Sequence, residues 1–185
     1  MADAFLSPLL DTREWYEMIA AQYLSTVRKL CIRLEDRQIN WVVTGSLGMA
    51  LQGVPVTVHD IDIQTDEDGA YEIERCFSEC VIKPVRYSLS EQIRSHFGML
   101  EIDGIQVEIM GDLQKRLGDQ SWEKPVKVEC YKQWVETDGM RIPVLSLEYE
   151  YQAYLNLGRS EKAEILRNWL QENRSGLTSA PSRRR

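Results

Sequence analysis

The chain has 185 residues, a formal net charge of −7 at pH 7 and a pI near 5.0. Hydrophobic residues make up 43% of it, which is ordinary for a globular protein, so we expect one domain or one domain with a small appendage. The acidic charge argues against a protein that binds nucleic acid through a broad basic face. The one basic run is Arg183–Arg185, at the end of the chain.

Targeting and redox features also narrow the class of protein. No apolar run approaches the ~20 residues that span a bilayer, and the start MADAFLSPLL lacks the basic and long apolar regions of a signal peptide. We therefore expect a soluble, cytoplasmic protein without a membrane partner. Four scattered cysteines and two histidines favour free thiols over a zinc site.

The first part of the chain has a helical pattern. Apolar residues at helical spacing predict one long helix or two between Thr12 and Arg37, with Asp11 or Thr12 as the N-cap. We expect four segments in all: an N-terminal helical segment packed on the core over 1–37, an α/β core over 38–145, C-terminal helices over 146–173 and a flexible tail over 174–185.

A strand, a small-residue turn and a helix follow. Asn40 to Thr44 predicts a strand, and its apolar run Trp41–Val43 is typical of burial on both faces. Gly45 ends the strand, and Ser46 is placed to cap a helix over Leu47–Gln52. Because backbone N–H groups are free at the start of a helix, this turn is a candidate phosphate site.

Two aspartates lie on the next predicted strand, Asp60 to Gln64. Side chains alternate along a strand, so Ile61 and Ile63 face one way and Asp60 and Asp62 the other. Carboxylates about 7 Å apart on one face repel each other unless a cation lies between them. Oxygen ligands of this kind suit Mg²⁺ or Mn²⁺. The alternative is the solvent face of a half-buried strand.

A third acid lies on a predicted hairpin, in which His96 to Ile102 pairs with Ile105 to Ile109 across Asp103-Gly104. Glu108 has the strand phase opposite to the isoleucines. If its strand lies beside the Asp60–Gln64 strand, Glu108 can join the two aspartates on one surface. Rivals for the third acid are Glu101, Asp103 and Asp112.

The remaining pattern predicts an α/β fold (α+β in stricter usage), with a mixed sheet of five or six strands flanked by helices. Before the hairpin with Glu108, we expect an acidic turn at Thr65–Asp68, a helix at Ala70–Ser78 and a strand at Val81–Tyr87. After it, we expect a polar loop or broken helix at Gly111–Lys124 and short strands at Val126–Cys130 and Met140–Val144, the second of them in a hairpin across Asp138-Gly139. Two helices should follow, at Leu145–Leu155 with Ser146 as its cap and at Glu161–Gln171.

The combination of Gly45-Ser46, Asp60-x-Asp62 and Glu108 resembles the signature of the nucleotidyltransferase superfamily of the DNA polymerase beta type. It is most similar to the minimal and antibiotic-modifying prokaryotic members. The resemblance covers roughly residues 38–170. It implies a nucleotidyltransferase-like mixed sheet flanked by helices, followed by C-terminal helices.

The resemblance also implies an activity, the metal-dependent transfer of a nucleoside monophosphate from an NTP, ATP first, to a hydroxyl acceptor. Asp60, Asp62 and Glu108 would be the catalytic residues and the ligands of Mg²⁺ or Mn²⁺. Gly45 and Ser46 would bind the nucleotide. Candidates for contact with the triphosphate, with plain surface charge as the alternative, are Lys83, Arg86, Arg159 and Lys162.

A second hypothesis stays open beside the first. Many relatives carry a basic residue shortly before the first aspartate, and only His59 could fill that position here. The chain could then be a non-catalytic member of the same fold, a regulatory or antitoxin-like module that binds a nucleotide or a protein partner. A homodimer also stays open, and the pattern does not identify the acceptor.

Overall fold

The computed structural model describes residues 19–177, which form one seven-stranded sheet and five α-helices. The strands are β1 (Val42–Thr44), β2 (Ile61–Thr65), β3 (Val81–Leu89), β4 (Ile93–Ile102), β5 (Ile105–Lys115), β6 (Lys132–Thr137) and β7 (Met140–Leu145). The helices are α1 (Ala21–Leu34), α2 (Gly45–Leu51), α3 (Glu67–Cys76), α4 (Leu147–Asn156) and α5 (Ser160–Leu177).

The sheet is mixed, and its strand order is β3-β4-β5-β2-β1-β7-β6. The central strand β2 runs antiparallel to β1 and parallel to β5, and β1 runs parallel to β7. The expected α/β class is therefore confirmed. The sheet has more strands than the five or six expected, because β7 pairs with the distant β1 and brings the whole β6–β7 hairpin into the same sheet.

The interpretation of Gly111–Lys124 as a loop or broken helix is wrong for its first part. Strand β5 continues to Lys115 through a β-bulge, because the pairs Arg94–Gln114 and His96–Gly111 leave one extra residue on β5. Asp112 has a φ of 48° at this bulge. The bulge preserves pairing with β4 but changes which face of the sheet the following residues occupy.

Two other local predictions are also wrong. Val126–Cys130 is not a strand but a loop leading into a 3-10 turn at Val128–Cys130, and Val126 and Val128 pack with buried residues of β1 and β7 instead of joining the sheet. The predicted acidic turn at Thr65–Asp68 is the start of α3. Asp66 caps this helix by accepting a hydrogen bond from the N–H of Gly69 at 2.7 Å.

Helices cover the two sides of the sheet unequally. On one side, α1 and α3 pack against the fully buried side chains of Ile61, Ile63, Val107 and Ile109. On the other side, α4 and α5 pack mainly against each other and onto Met49 of α2, in a smaller cluster that includes Leu147, Tyr154 and Leu166. The middle of this second face is therefore left open as a cleft.

The predictions for the two ends of the chain can be compared with the structure only in part. Helix α1 confirms the later part of the predicted helix, and its predicted caps at Asp11 and Thr12 lie outside the described residues, as does the tail beyond 177. The four-segment division stays a prediction. Within residues 19–177, no helix has the length and apolar character needed to cross a bilayer.

Candidate active site

The three central strands place polar side chains in one row on the open face. Asp62 pairs with Thr44 of β1 on one side and with Glu108 of β5 on the other. Neighbouring strands lie about 4.8 Å apart, so the carboxylates of Asp62 and Glu108 project side by side. Asp60 comes directly before β2. The structure therefore brings together the three acids that the sequence singled out.

The electrostatics show how close these acids are. The pKa of Asp62 is raised to about 7, first by burial and then by the negative charges of Asp60, Glu108 and Glu150, while the charge of Lys162 acts in the opposite direction. Burial and the charge of Asp60 also raise the pKa of Glu108. The site therefore concentrates negative charge that a bound cation would stabilise.

The donor set fits a hard divalent cation. All three acids offer oxygen ligands, as Mg²⁺ and Mn²⁺ prefer. Within the described part of the chain, no group of three or more His, Cys, Asp or Glu side chains is arranged to hold a metal ion. Mg²⁺ is usually held by one or two carboxylates together with substrate phosphates and water.

Gly45 makes room for Asp62. Its φ is +66°, in the left-handed region, and a Cβ at this position would lie 2.1 Å from Oδ2 of Asp62. A side chain at position 45 would therefore displace the carboxylate as well as strain the backbone. The sequence associated Gly45 with phosphate binding, and the structure adds this steric role.

Glu150 is a fourth acid at the site, and our sequence analysis missed it. It lies on α4 with 4% exposure and accepts hydrogen bonds from the Thr44 hydroxyl and, at 2.8 Å, from the Gly45 N–H. Burial raises its pKa, and these two hydrogen bonds oppose the increase. One signal was available, because Glu150 falls on the same helical face as the buried residues Leu147 and Tyr154.

The same contacts correct the expected role of Ser46. Helix α2 begins at Gly45, Thr44 occupies the N-cap, and no side chain caps the helix. Ser46 instead lies in the first turn with 7% exposure. The Thr44 hydroxyl instead donates to Glu150 and accepts from the side-chain amide of Gln64 at 3.4 Å. By contrast, the expected cap at Ser146 is confirmed, since its hydroxyl accepts from the Tyr149 N–H at 3.3 Å.

Lys115 is a buried cation in the cleft that the strand pattern did not reveal. After the bulge at Asp112 the odd-numbered side chains of β5 line the cleft, so Lys115 points into it with 2% exposure. Its ammonium group donates to Glu123 at 2.8 Å and to the Tyr149 hydroxyl at 2.9 Å. Burial alone would lower the pKa of Lys115, but these partners raise it.

The open face forms a cleft of about 360 Å³ above the acids. Of the four basic candidates, Lys83 and Arg159 line this cleft, and Lys162 is close enough to act on the pKa of Asp62. Arg86 is exposed on β3 and is not among the lining residues. The sequence thus supplied two cations that reach the cleft.

The rivals for the third acid lie elsewhere. Glu101 is exposed on β4, and Asp103 lies in the hairpin turn, where it pairs with Lys29. Asp112 accepts a hydrogen bond from the backbone of Glu67, at the start of α3. Glu108 is the one of these four acids that lines the cleft in the described part of the chain.

The mixed sheet, the Gly45 turn and the C-terminal helices define a nucleotidyltransferase-like fold. The structure resembles that of TM1012 from Thermotoga maritima, a protein provisionally classed as a nucleotidyltransferase. The TM-score is 0.74 and the identity 68%, over 84% of this chain and 96% of that one.

Two antibiotic adenylyltransferases share the fold at low identity. ANT(2'')-Ia, solved with adenylyl-2''-tobramycin, has a TM-score of 0.56 and 12% identity over 84% of this chain and 94% of its own. LnuA, solved with lincomycin, has a TM-score of 0.50 and 11% identity over 79% of this chain and 95% of its own. At these identities the likeness shows the fold alone.

The family follows from the sequence itself. Residues 26–168 match the model of the aminoglycoside-2''-adenylyltransferase family, and the chain therefore belongs to that family. This range contains all of the elements that build the cleft, from β1 to the first turns of α5. No curated protein sequence matches the chain.

Proposed function

We propose that the protein transfers a nucleoside monophosphate from an NTP, ATP first, to a hydroxyl group of an acceptor, with Mg²⁺ or Mn²⁺ as the cofactor. The observation that carries this proposal is the adjacency of Asp62 and Glu108 on one face, beside the Gly45 turn. Family membership and the fold support the same class of reaction.

The acids have distinct parts in the proposed reaction. Asp60 and Asp62 would hold the metal, which neutralises the triphosphate and stabilises the leaving pyrophosphate. The acceptor oxygen attacks the α-phosphorus, the bond from that phosphorus to the bridging oxygen breaks, and pyrophosphate leaves. Glu108 completes the metal site and accepts the hydroxyl proton.

The remaining groups of the cleft assist binding. Ser46, next to Gly45 in the first turn of α2, would contact the triphosphate. The Gly45 N–H already donates to Glu150, so the contribution of Gly45 would be steric. Arg159 lines the cleft and would offset the triphosphate charge.

A thermal-shift screen of NTPs with Mg²⁺ or Mn²⁺, combined with pyrophosphate release, tests the proposal. We expect metal-dependent stabilisation by an NTP in the wild type and its loss in an Asp60→Asn/Asp62→Asn double variant. Asp68→Asn is a matched control, because Asp68 is an exposed aspartate on α3, away from the cleft.

Three results would count against the proposal. A wild type that gains no stability from any nucleotide and metal, or a double variant that gains as much, would remove its basis. NTP binding without pyrophosphate release for any hydroxyl acceptor would favour the non-catalytic regulatory or antitoxin-like module instead.

A further inference from the structure

The floor of the cleft divides into two halves with different chemistry. The inner half consists of Thr44, Asp62 and Glu108 on β1, β2 and β5. The same cross-strand row continues from Glu108 through Met99 of β4 to Lys83 of β3. Two strand spacings separate the backbones of Glu108 and Lys83, which is about 10 Å. The cleft is thus wide enough for a second group beside the metal site.

In the part of the chain that the structure describes, no acid lines the outer half of the cleft. It is built by β3, β4 and the turn between them, and its lining residues are Lys83, Ser88, Ser90, Ile93, Ser95 and Phe97. Three hydroxyls and two apolar side chains can contact an uncharged molecule. The charged group among them is a cation, Lys83, which lies over the Phe97 ring at 4.6 Å from its centroid.

The acids of the inner half are already engaged. Asp62 and Glu108 belong to the proposed metal site. Glu150, the other acid that lines the cleft, is buried and accepts from Thr44 and Gly45. Among residues 19–177, an acceptor that enters the cleft would therefore find no lining carboxylate available to pair with a positive charge.

Unlike the acids, two cations of the cleft have no charged partner of their own among the described residues. Lys115 is compensated by Glu123. Lys83 and Arg159 line the cleft, and neither makes a salt bridge within residues 19–177. Once metal and triphosphate are bound, the outer half therefore presents hydroxyls, an aromatic ring and positive charge.

We propose that the acceptor is a hydroxyl compound without ammonium groups, neutral or anionic, with an apolar part that packs on Phe97 and Ile93 and polar groups that bond to the serine hydroxyls. The inference rests on the proposed function and deepens it. A polycationic aminoglycoside would place ammonium groups against a wall that offers no carboxylate, and unpaired charge in a partly desolvated cleft is costly.

Pyrophosphate release with ATP and Mg²⁺ at physiological salt tests the acceptor class. The three acceptor sets are aminoglycosides such as tobramycin, uncharged glycosides with an apolar aglycone, and hydroxyl compounds that carry a carboxylate or phosphate. We expect at least one non-cationic acceptor to exceed the acceptor-free rate by about tenfold or more. The second and third sets distinguish a neutral acceptor from an anionic one. Aminoglycosides should leave the rate unchanged.

A binding experiment keeps the test decisive when no acceptor is turned over. Ser88 and Ser90 are exposed in the outer half, so Ser88→Asp/Ser90→Asp adds two carboxylates there, and Ser88→Asn/Ser90→Asn is the matched neutral pair. An Asp or Asn side chain at position 90 can still accept from the Ile93 N–H, as Ser90 does. We expect the aspartate pair to bind tobramycin about tenfold more tightly than the asparagine pair or the wild type.

The outcomes distinguish a failure of the proposed acceptor class from a failure of the proposed nucleotidyl transfer. Turnover of an aminoglycoside faster than of any non-cationic acceptor would overturn this inference and leave the proposed function intact. Wild-type binding of tobramycin as tight as that of the aspartate pair, or equal binding by the two variant pairs, would also overturn it. Absence of metal-dependent NTP binding is instead a failure of the proposed function.

Discussion

The two faces of strands β2 and β5 differ in almost every physical respect. On the packed face, Ile61, Ile63, Val107 and Ile109 are fully buried under α1 and α3. On the cleft face, alternate positions of the same strands carry Asp62, Gln64, Glu108 and Met110. Each buried isoleucine or valine contributes about 1.5–3 kcal/mol through removal of apolar surface from water.

The cleft face carries a cluster of acids that the packed face lacks, and these acids repel one another. The buried Oε1 of Gln64 has no hydrogen-bond partner within the described residues, and the same holds for the buried hydroxyls of Thr26 and Thr65 on the packed side. Such groups are costly in a folded protein and are common where a ligand binds. The comparison shows that residues that stabilise the core and residues of the candidate active site alternate along the same strands.

The largest expected effect on stability comes from the packed face. Ile63→Ala should lower the free energy of unfolding by about 2–5 kcal/mol, because it leaves a cavity under the helices. Urea denaturation measures the change. Ile63→Val is the graded control, with an expected loss of about 0.5–1.5 kcal/mol. An alanine variant as stable as the valine variant would contradict the assignment of this face to the core.

Gly45→Ala tests the cleft face. The new Cβ would displace Oδ2 of Asp62, and a misplacement of about 1 Å at a reacting centre lowers activity by roughly 100-fold. Gly104→Ala is the matched control, because Gly104 also has a positive φ but no atom within 4 Å of its Cβ position. Both variants carry similar backbone strain. Equal loss of pyrophosphate release in both would show that Gly45 acts through strain alone.

Glu150 links the two C-terminal helices to the cleft, and its substitution should have a moderate effect. Glu150→Ala would leave the Thr44 hydroxyl and the Gly45 N–H without their buried acceptor, at a cost of about 1–3 kcal/mol. Glu150→Gln keeps an acceptor oxygen and should lose less in urea denaturation. Equal destabilisation by alanine and glutamine would mean that the charge, and not hydrogen bonding, determines the contribution of Glu150.

The pH dependence of stability gives the most gradual effect, because the change is spread over about three pH units. The pKa of Asp62 is about 7 in the folded protein against an ordinary value of 3.8, so between these values the folded chain binds more protons than the unfolded chain. In metal-free protein this group therefore lowers stability as pH rises from about 4 to 7, by roughly 1 kcal/mol per pH unit at most. Asp62→Asn should flatten that slope, and an unchanged slope would contradict the shifted pKa.

Much of the fold could be predicted because it depends on local patterns. The alternation around Asp60 and Asp62, the hairpin turn Asp103-Gly104 and the cap at Ser146 each follow from a few neighbouring residues. The structure has the hairpin and the cap where the pattern placed them. The phase of Glu108 was also readable, although its position beside Asp62 required knowledge of the strand order.

Other parts of the site depend on contacts between distant residues. Glu150 accepts from the Thr44 hydroxyl across 106 positions, and no side chain caps α2. Lys115 enters the cleft because one extra residue at the Asp112 bulge rotates the end of β5. Neither event changes the local hydrophobic pattern, so the sequence carried little sign of them.

By itself, the sequence determined which face each side chain of β2 and β5 would take, because side chains alternate along any strand. It also determined that oxygen ligands and a glycine turn would occur together. Only the tertiary structure decided that Asp62 and Glu108 are neighbours and that the missing side chain of Gly45 leaves room for the carboxylate of Asp62. It also decided that, among the described residues, no acid lines the outer half of the cleft. These properties depend on strand order and helix packing, which join residues far apart in the chain.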